Sequence, residues 1–150
     1  MSIHRTATHW TRRTDDFRYD TYSRDHELAM GVGTTLAASA AAEYRGNAER
    51  ANPEDLLVAA LSSCHMLTFL AICARQQHVV DRYEDEAEGH LEKGPDGRTW
   101  VTRVVLRPRV QFAAGTEVDE HALATLHAGA HRGCFIASSV KTQVTVEPRG

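Results

Sequence analysis

The chain has 150 residues, of which 42% are hydrophobic and 25% charged, a length and balance suited to one folded domain over 1–150 and unsuited to a disordered chain. With 17 basic against 20 acidic side chains and a net charge of −3, a polyanion-binding surface is not expected, which argues against nucleic acid as a partner. No unbroken apolar run reaches the roughly 20 residues of a membrane span, and MSIHRTATHW has no apolar signal stretch, so the expected setting is a reducing cytoplasm with 3 free, catalytic or buried thiols.

From Thr6 to Leu36 the chain is rich in Thr, Tyr, Phe and Trp and broken by polar clusters such as Arg12 to Asp16, which predicts two or three strands. Ala37 to Ala42 is almost entirely small residues and predicts a flexible connection. Asn52, Pro53, Glu54 and Asp55 then supply an N-cap, a proline where a missing N–H costs nothing, and two carboxylates at the positive helix end. The helix should run from Leu56 to about Gln76. Its apolar residues lie nearly all around it, which predicts a central, buried helix and points to an oligomer.

Asp96-Gly97 is the preferred pair for a two-residue type I′ turn. That turn sets Ala87 opposite Leu106, Leu91 opposite Thr102 and Tyr83 opposite Val110 on a mostly apolar face. The other face brings Glu86 opposite Arg107 and Glu84 opposite Arg109, which reads as a solvated, charge-paired surface. Pro108 marks a bulge or an edge. A second helix is expected from about Asp119 to His131, with Ala122, Leu123, Leu126 and Ala130 on one face and an end near Gly133. Val140 to Val146 alternates as a half-buried strand does. This order predicts an α+β fold with an antiparallel sheet.

Cys64 sits midway along the first helix beside His65, and Cys134 follows the second helix. An isolated Cys on an apolar helix ordinarily fills space. Cys73 fits that role, lying about 180° around the helix from Cys64 and roughly 13 Å along it. His127 and His131 are one turn apart with Cys134 three residues on, a partial ligand set without a CxxC; His131 also suits a helix C-terminus, and no metal is expected.

The stretches NPEDLLVAALSSCHMLTFLA and AHRGCFIASSVKTQVTVEP, which place Cys64 after the Asn52-Pro-Glu motif and Cys134 before the last strand, resemble the OsmC/Ohr family of hydroperoxide-reducing proteins. The resemblance implies an OsmC-like fold, an intertwined homodimer with active sites at the subunit interface, and no metal or organic cofactor. It implies a two-cysteine peroxidase acting on organic hydroperoxides, with hydrogen peroxide a further substrate. Cys64 would be the peroxidatic thiolate and Cys134 the resolving thiol, with an external dithiol restoring both. It also implies an arginine that contacts the thiolate and is held by Glu54. Arg24, in the strand-like segment Tyr22 to His26, is the assigned residue and Arg45 the alternative; neither aligns cleanly. His65 beside Cys64, and Phe135 where many members carry proline after the second Cys, depart from the family pattern. Leu57, Leu61, Leu67 and Phe69 suit an apolar peroxide tail. The alternative function is a non-catalytic binding protein for a small apolar ligand, with redox-sensitive cysteines.

Overall fold

The computed structural model describes residues 1–31 and 33–150, and the chain forms two compact units, 1–56 and 57–150. In the first, β1 (Thr6–His9), β2 (His26–Met30) and β3 (Thr34–Ala38) form an antiparallel sheet in that order. Ala37 and Ala38 belong to β3, and Ala38 and Ser39 are fully buried, so the small-residue run is not a flexible connection. Ser39 donates its N–H to the Ala51 carbonyl and accepts the Asn47 N–H on its hydroxyl at 3.0 Å. Small side chains are needed here because backbone packs on backbone: a Cβ on Gly46 would lie 1.6 Å from the Ala40 carbonyl oxygen. Arg24 precedes β2 rather than lying on a strand. Its guanidinium bonds back to the Tyr22 carbonyl at 2.6 Å and to the Tyr19 carbonyl, local bonds that compete with extended pairing.

The first unit ends as α1 (Pro53–Arg75) begins. Asn52 caps it, its side-chain oxygen accepting the Asp55 N–H at 2.9 Å while its amide donates to the Asp55 carboxylate at 2.7 Å. In the second unit, β4 (Val80–Asp85) pairs with β7 (Pro108–Phe112), and β5 (Glu88–Lys93), β6 (Thr99–Leu106) and β8 (Gln143–Val146) form another sheet. β5 and β6 are antiparallel, but β8 runs parallel to β6, so the all-antiparallel expectation fails. Between β7 and β8, α2 (Glu120–Gly133) returns the chain to the starting end of the sheet, the kind of crossover parallel pairing requires. A short helical turn at Ala137–Ser139 also shortens the last strand, leaving Val140 outside it.

The hairpin register is right at its far end and wrong at its tip. Tyr83 faces Val110 and Glu84 faces Arg109 as expected, whereas Leu91 faces Val101 instead of Thr102. Proline explains the difference. A two-residue turn on Asp96-Gly97 needs an N–H from residue 95, which Pro95 lacks. The loop widens instead: Gly94 bonds the Arg98 carbonyl, Gly97 bonds the Gly94 carbonyl, and Gly97 takes φ +78°. A bulge between His90 and Leu91 restores the register. The long strands also break near Pro108, so Ala87–Leu106 and Glu86–Arg107 form no ladder pairs. The Arg107 N–H bonds the Asp85 carboxylate at 2.7 Å, its side chain reaches Glu88 at 2.9 Å, and Glu86 pairs with Arg149 at 2.7 Å.

The core of this unit divides along α1. Leu61 packs with Val101, Val104 and Leu106, and Phe69 and Cys73 pack with Leu126 and Ala130. Leu61, His65, Phe69 and Cys73, four residues apart, form its buried stripe. The helix is not buried all round: Ala60 and Ala71 are exposed and Leu67 is 61% exposed. By length and composition α1 is apolar enough to cross a membrane, though its buried stripe is what a core helix also carries.

Candidate active site

Cys64 and Cys134 meet in the second unit because α2 packs closely on α1. Gly129 and Gly133, one turn apart on α2, make the approach possible: added Cβ atoms would lie 3.3 Å from Ile72 Cδ1 and 3.0 Å from Thr68 Cγ2. This small-residue spacing is legible in the sequence. At the end of α2, Cys134 donates its N–H to the His131 carbonyl, and the chain turns so that the Ala137 N–H points at the Cys134 sulfur at 3.4 Å.

Burial pushes the Cys64 thiol up. The hydrogen bond from the Cys134 thiol and those from the Ile136 and Phe135 N–H groups outweigh it, so Cys64 ionises below the ordinary thiol range. Cys134 shifts the other way: burial raises it, and its bond to Cys64 and the nearby Cys64 charge raise it further. The pair is therefore split, Cys64 shifted toward the thiolate and Cys134 toward the thiol. Phe135, where family members often carry proline, contributes its backbone N–H to this arrangement. Its side chain is 83% exposed. Together with Leu67, Thr68, Ile72 and Ile136, it lines a mostly apolar groove of about 690 Å³ that includes Cys64.

Cys73 is buried on the far side of α1, and burial raises its thiol. It is expected to react with iodoacetamide in the native protein at least about tenfold more slowly than Cys64, because both access and thiolate fraction are lower. Peptide mapping after a timed pulse reads this; equal labelling of the two would contradict it.

Arg24 and Glu54 are brought together in the first unit, where both line a cavity of about 560 Å³. Its walls include Trp10, Phe17, Tyr22 and Tyr44. Trp10 and Phe17 sit 5.7 Å apart, Phe17 and Tyr22 5.2 Å apart, and the Arg24 guanidinium lies 3.8 Å above the Tyr22 ring. Arg45 is exposed, has φ +61°, and stacks on Tyr19 at 5.9 Å. It is not among the residues lining this cavity. Among the described residues no group of three or more His, Cys, Asp or Glu is placed to hold a metal ion.

His65 does not point toward the thiol. It is buried and meets His127 of α2, Nε2 to Nδ1 at 3.1 Å. Burial depresses both imidazoles to about 4; the His131 charge lowers His65 further while Asp85 opposes it, and the His65 charge lowers His127 further. Sequence reading placed His127 in a partial metal set and missed this pairing, since nothing in the spacing of residues on two different helices reports it.

A family model described as "OsmC-like protein" matches residues 46–149. Among solved structures, an OsmC-like protein of unknown function from Vibrio cholerae is 40% identical, covers 99% of this chain and 100% of its own, and has a TM-score of 0.95. The organic hydroperoxide resistance protein OhrB of Bacillus subtilis is 17% identical, with 99% and 98% coverage and a TM-score of 0.71. An organic hydroperoxide resistance protein from Elizabethkingia anophelis, with crystallant-derived thiocyanate bound, is 15% identical, with 99% and 94% coverage and a TM-score of 0.74. No curated protein matches.

Proposed function

The chain belongs to the OsmC-like family, and on that premise we propose that it is a thiol-dependent peroxidase that reduces organic hydroperoxides to alcohols. The observation that carries this reading is the meeting of two cysteines from different elements, with Cys64 shifted below the ordinary thiol range and Cys134 above it. The Cys64 thiolate attacks the terminal peroxide oxygen. The O–O bond breaks, the alkoxide leaves and takes up a proton, and the sulfur keeps one oxygen as sulfenic acid. Cys134 then attacks that sulfur and displaces water to form a disulfide. An external dithiol, oxidised in turn, returns both thiols. The direct test is the loss of two thiols from reduced protein on one equivalent of cumene hydroperoxide; a protein that stays reduced over minutes rejects the reading.

From the family resemblance, Arg24 is assigned the cationic role toward the thiolate; in this chain it lines a cavity together with Glu54, and among the described residues no arginine is one of the groups that shift Cys64. Arg24→Met is expected to lower the second-order rate of Cys64 oxidation by about a hundredfold, in the range of a lost charge-assisted contact, with Arg45→Met near wild type. Stopped-flow measurement on both variants decides between them. The proposed assembly is a cytoplasmic homodimer, supported by the exposed apolar side of α1 around Leu67. The groove beside Cys64 suits an apolar tail, so cumene hydroperoxide is expected to react at least about tenfold faster than hydrogen peroxide, as burial of its phenyl and methyl groups allows; a preference for hydrogen peroxide would remove the organic-substrate claim. A second reading, binding of a small apolar ligand without catalysis, draws support from the aromatic-walled cavity of the first unit.

A further inference from the structure

His65 and His127 are buried polar side chains that the proposed chemistry does not use. They are 1% and 3% exposed, with rings within 10° of parallel, and His127 lies on the Phe69 face at 4.4 Å. The outer nitrogens, His65 Nδ1 and His127 Nε2, have no hydrogen-bond partner among the described residues. A single proton serves the shared bond, so whichever ring donates, a buried donor is left unpaired at one end and a buried acceptor at the other. Leucine or phenylalanine at either position would avoid that loss, and His127 already lies on the apolar Phe69 ring. Added stability therefore does not account for the pair.

What the pair supplies is direction. Contacts among apolar side chains tolerate sliding of one helix on another, whereas this bond is satisfied at one rotation and one axial offset of α2 against α1. Its location gives that offset a consequence: His65 directly follows Cys64, and His127 lies on the helix that Cys134 caps. A slip of one residue along the axis, about 1.5 Å, is large beside a disulfide bond of about 2 Å. We propose that the His65–His127 hydrogen bond is a positioning device that fixes the register of α2 on α1 and so holds Cys134 within reach of Cys64 for disulfide formation. The inference rests on the two-cysteine reading, since register matters to chemistry only if the two sulfurs join.

The test needs no peroxide. Equilibrating the full chain with mixtures of reduced and oxidised glutathione gives the effective concentration of the Cys64–Cys134 pair. His127→Phe keeps a ring on Phe69 and removes the bond; its effective concentration is expected to fall at least tenfold. His127→Asn, whose amide can place a hydrogen-bonding atom near the site of Nδ1, should recover most of the loss. If His127→Phe does not fold, His65→Leu with His65→Gln as its rescue makes the same comparison. A folded His127→Phe with unchanged effective concentration, or a His127→Asn no better than His127→Phe, overturns the positioning role and leaves the peroxidase reading intact. A wild-type chain that forms no Cys64–Cys134 disulfide in oxidised glutathione overturns both.

Discussion

Cys64→Ser is expected to leave both remaining thiols reduced after one equivalent of cumene hydroperoxide, with the rate of peroxide consumption down by about a thousandfold or more, because a serine hydroxyl is not ionised near neutral pH and cannot replace the thiolate. Cys134→Ser should behave differently. Its Cys64 should still be oxidised, at a somewhat reduced rate because one hydrogen bond that favours the thiolate weakens, and it should stop at the sulfenic acid that a 1,3-dione reagent traps. Wild type should instead lose two thiols and gain a Cys64–Cys134 linkage on peptide mapping. Since Cys64 is shifted below the ordinary thiol value, the oxidation rate should rise with pH and reach its plateau at a lower pH than that of an ordinary thiol. A Cys64→Ser protein that consumed peroxide like wild type would remove Cys64 from the chemistry, and with it the mechanism.

A loss of stability in mild acid should be nearly as large. His65 and His127 are held at about 4 in the folded chain against 6.5 unperturbed, so between those values the unfolded chain binds more protons than the folded one. Stability contributed by keeping the rings neutral is complete above pH 6.5 and is lost as the pH falls toward 4. At 1.36 kcal/mol per pH unit, lowering the pH from 7.5 to 5 should cost about 2 kcal/mol for each imidazole, a sizeable share of a domain's 5–15 kcal/mol. Urea unfolding at the two pH values reads this directly. The double variant His65→Leu, His127→Phe should lose much less over the same interval. Glu88, Glu92 and Asp96, all lowered chiefly by hydrogen bonds, act at lower pH and are common to both proteins. An equal loss in wild type and double variant would mean that the pair does not carry the acid sensitivity.

How much of this was legible before the fold was known depends on whether the signal is local. The Asn52 cap, the start of α1, the Asp119 cap of α2 and the pairing of Tyr83 with Val110 all follow from interactions within a few residues or from a strand's period of two. Family resemblance supplied the expectation that Cys64 and Cys134 act together, and the packing of α2 on α1 supplied the means. The hairpin tip failed on a local signal left unread, the missing N–H of Pro95. The parallel placement of β8, the burial of Ala38 and Ser39, the one-sided burial of α1 and the His65–His127 bond could not be read at all. Each depends on which elements become neighbours, and that is settled by the summed burial of apolar surface over the whole unit rather than by any short segment. The sequence thus determined the elements and supplied the two cysteines that meet. Only the tertiary structure decided that glycines on one helix face let α2 approach α1, that Cys64 is the more acidic thiol, and that two histidines share a buried proton beside them.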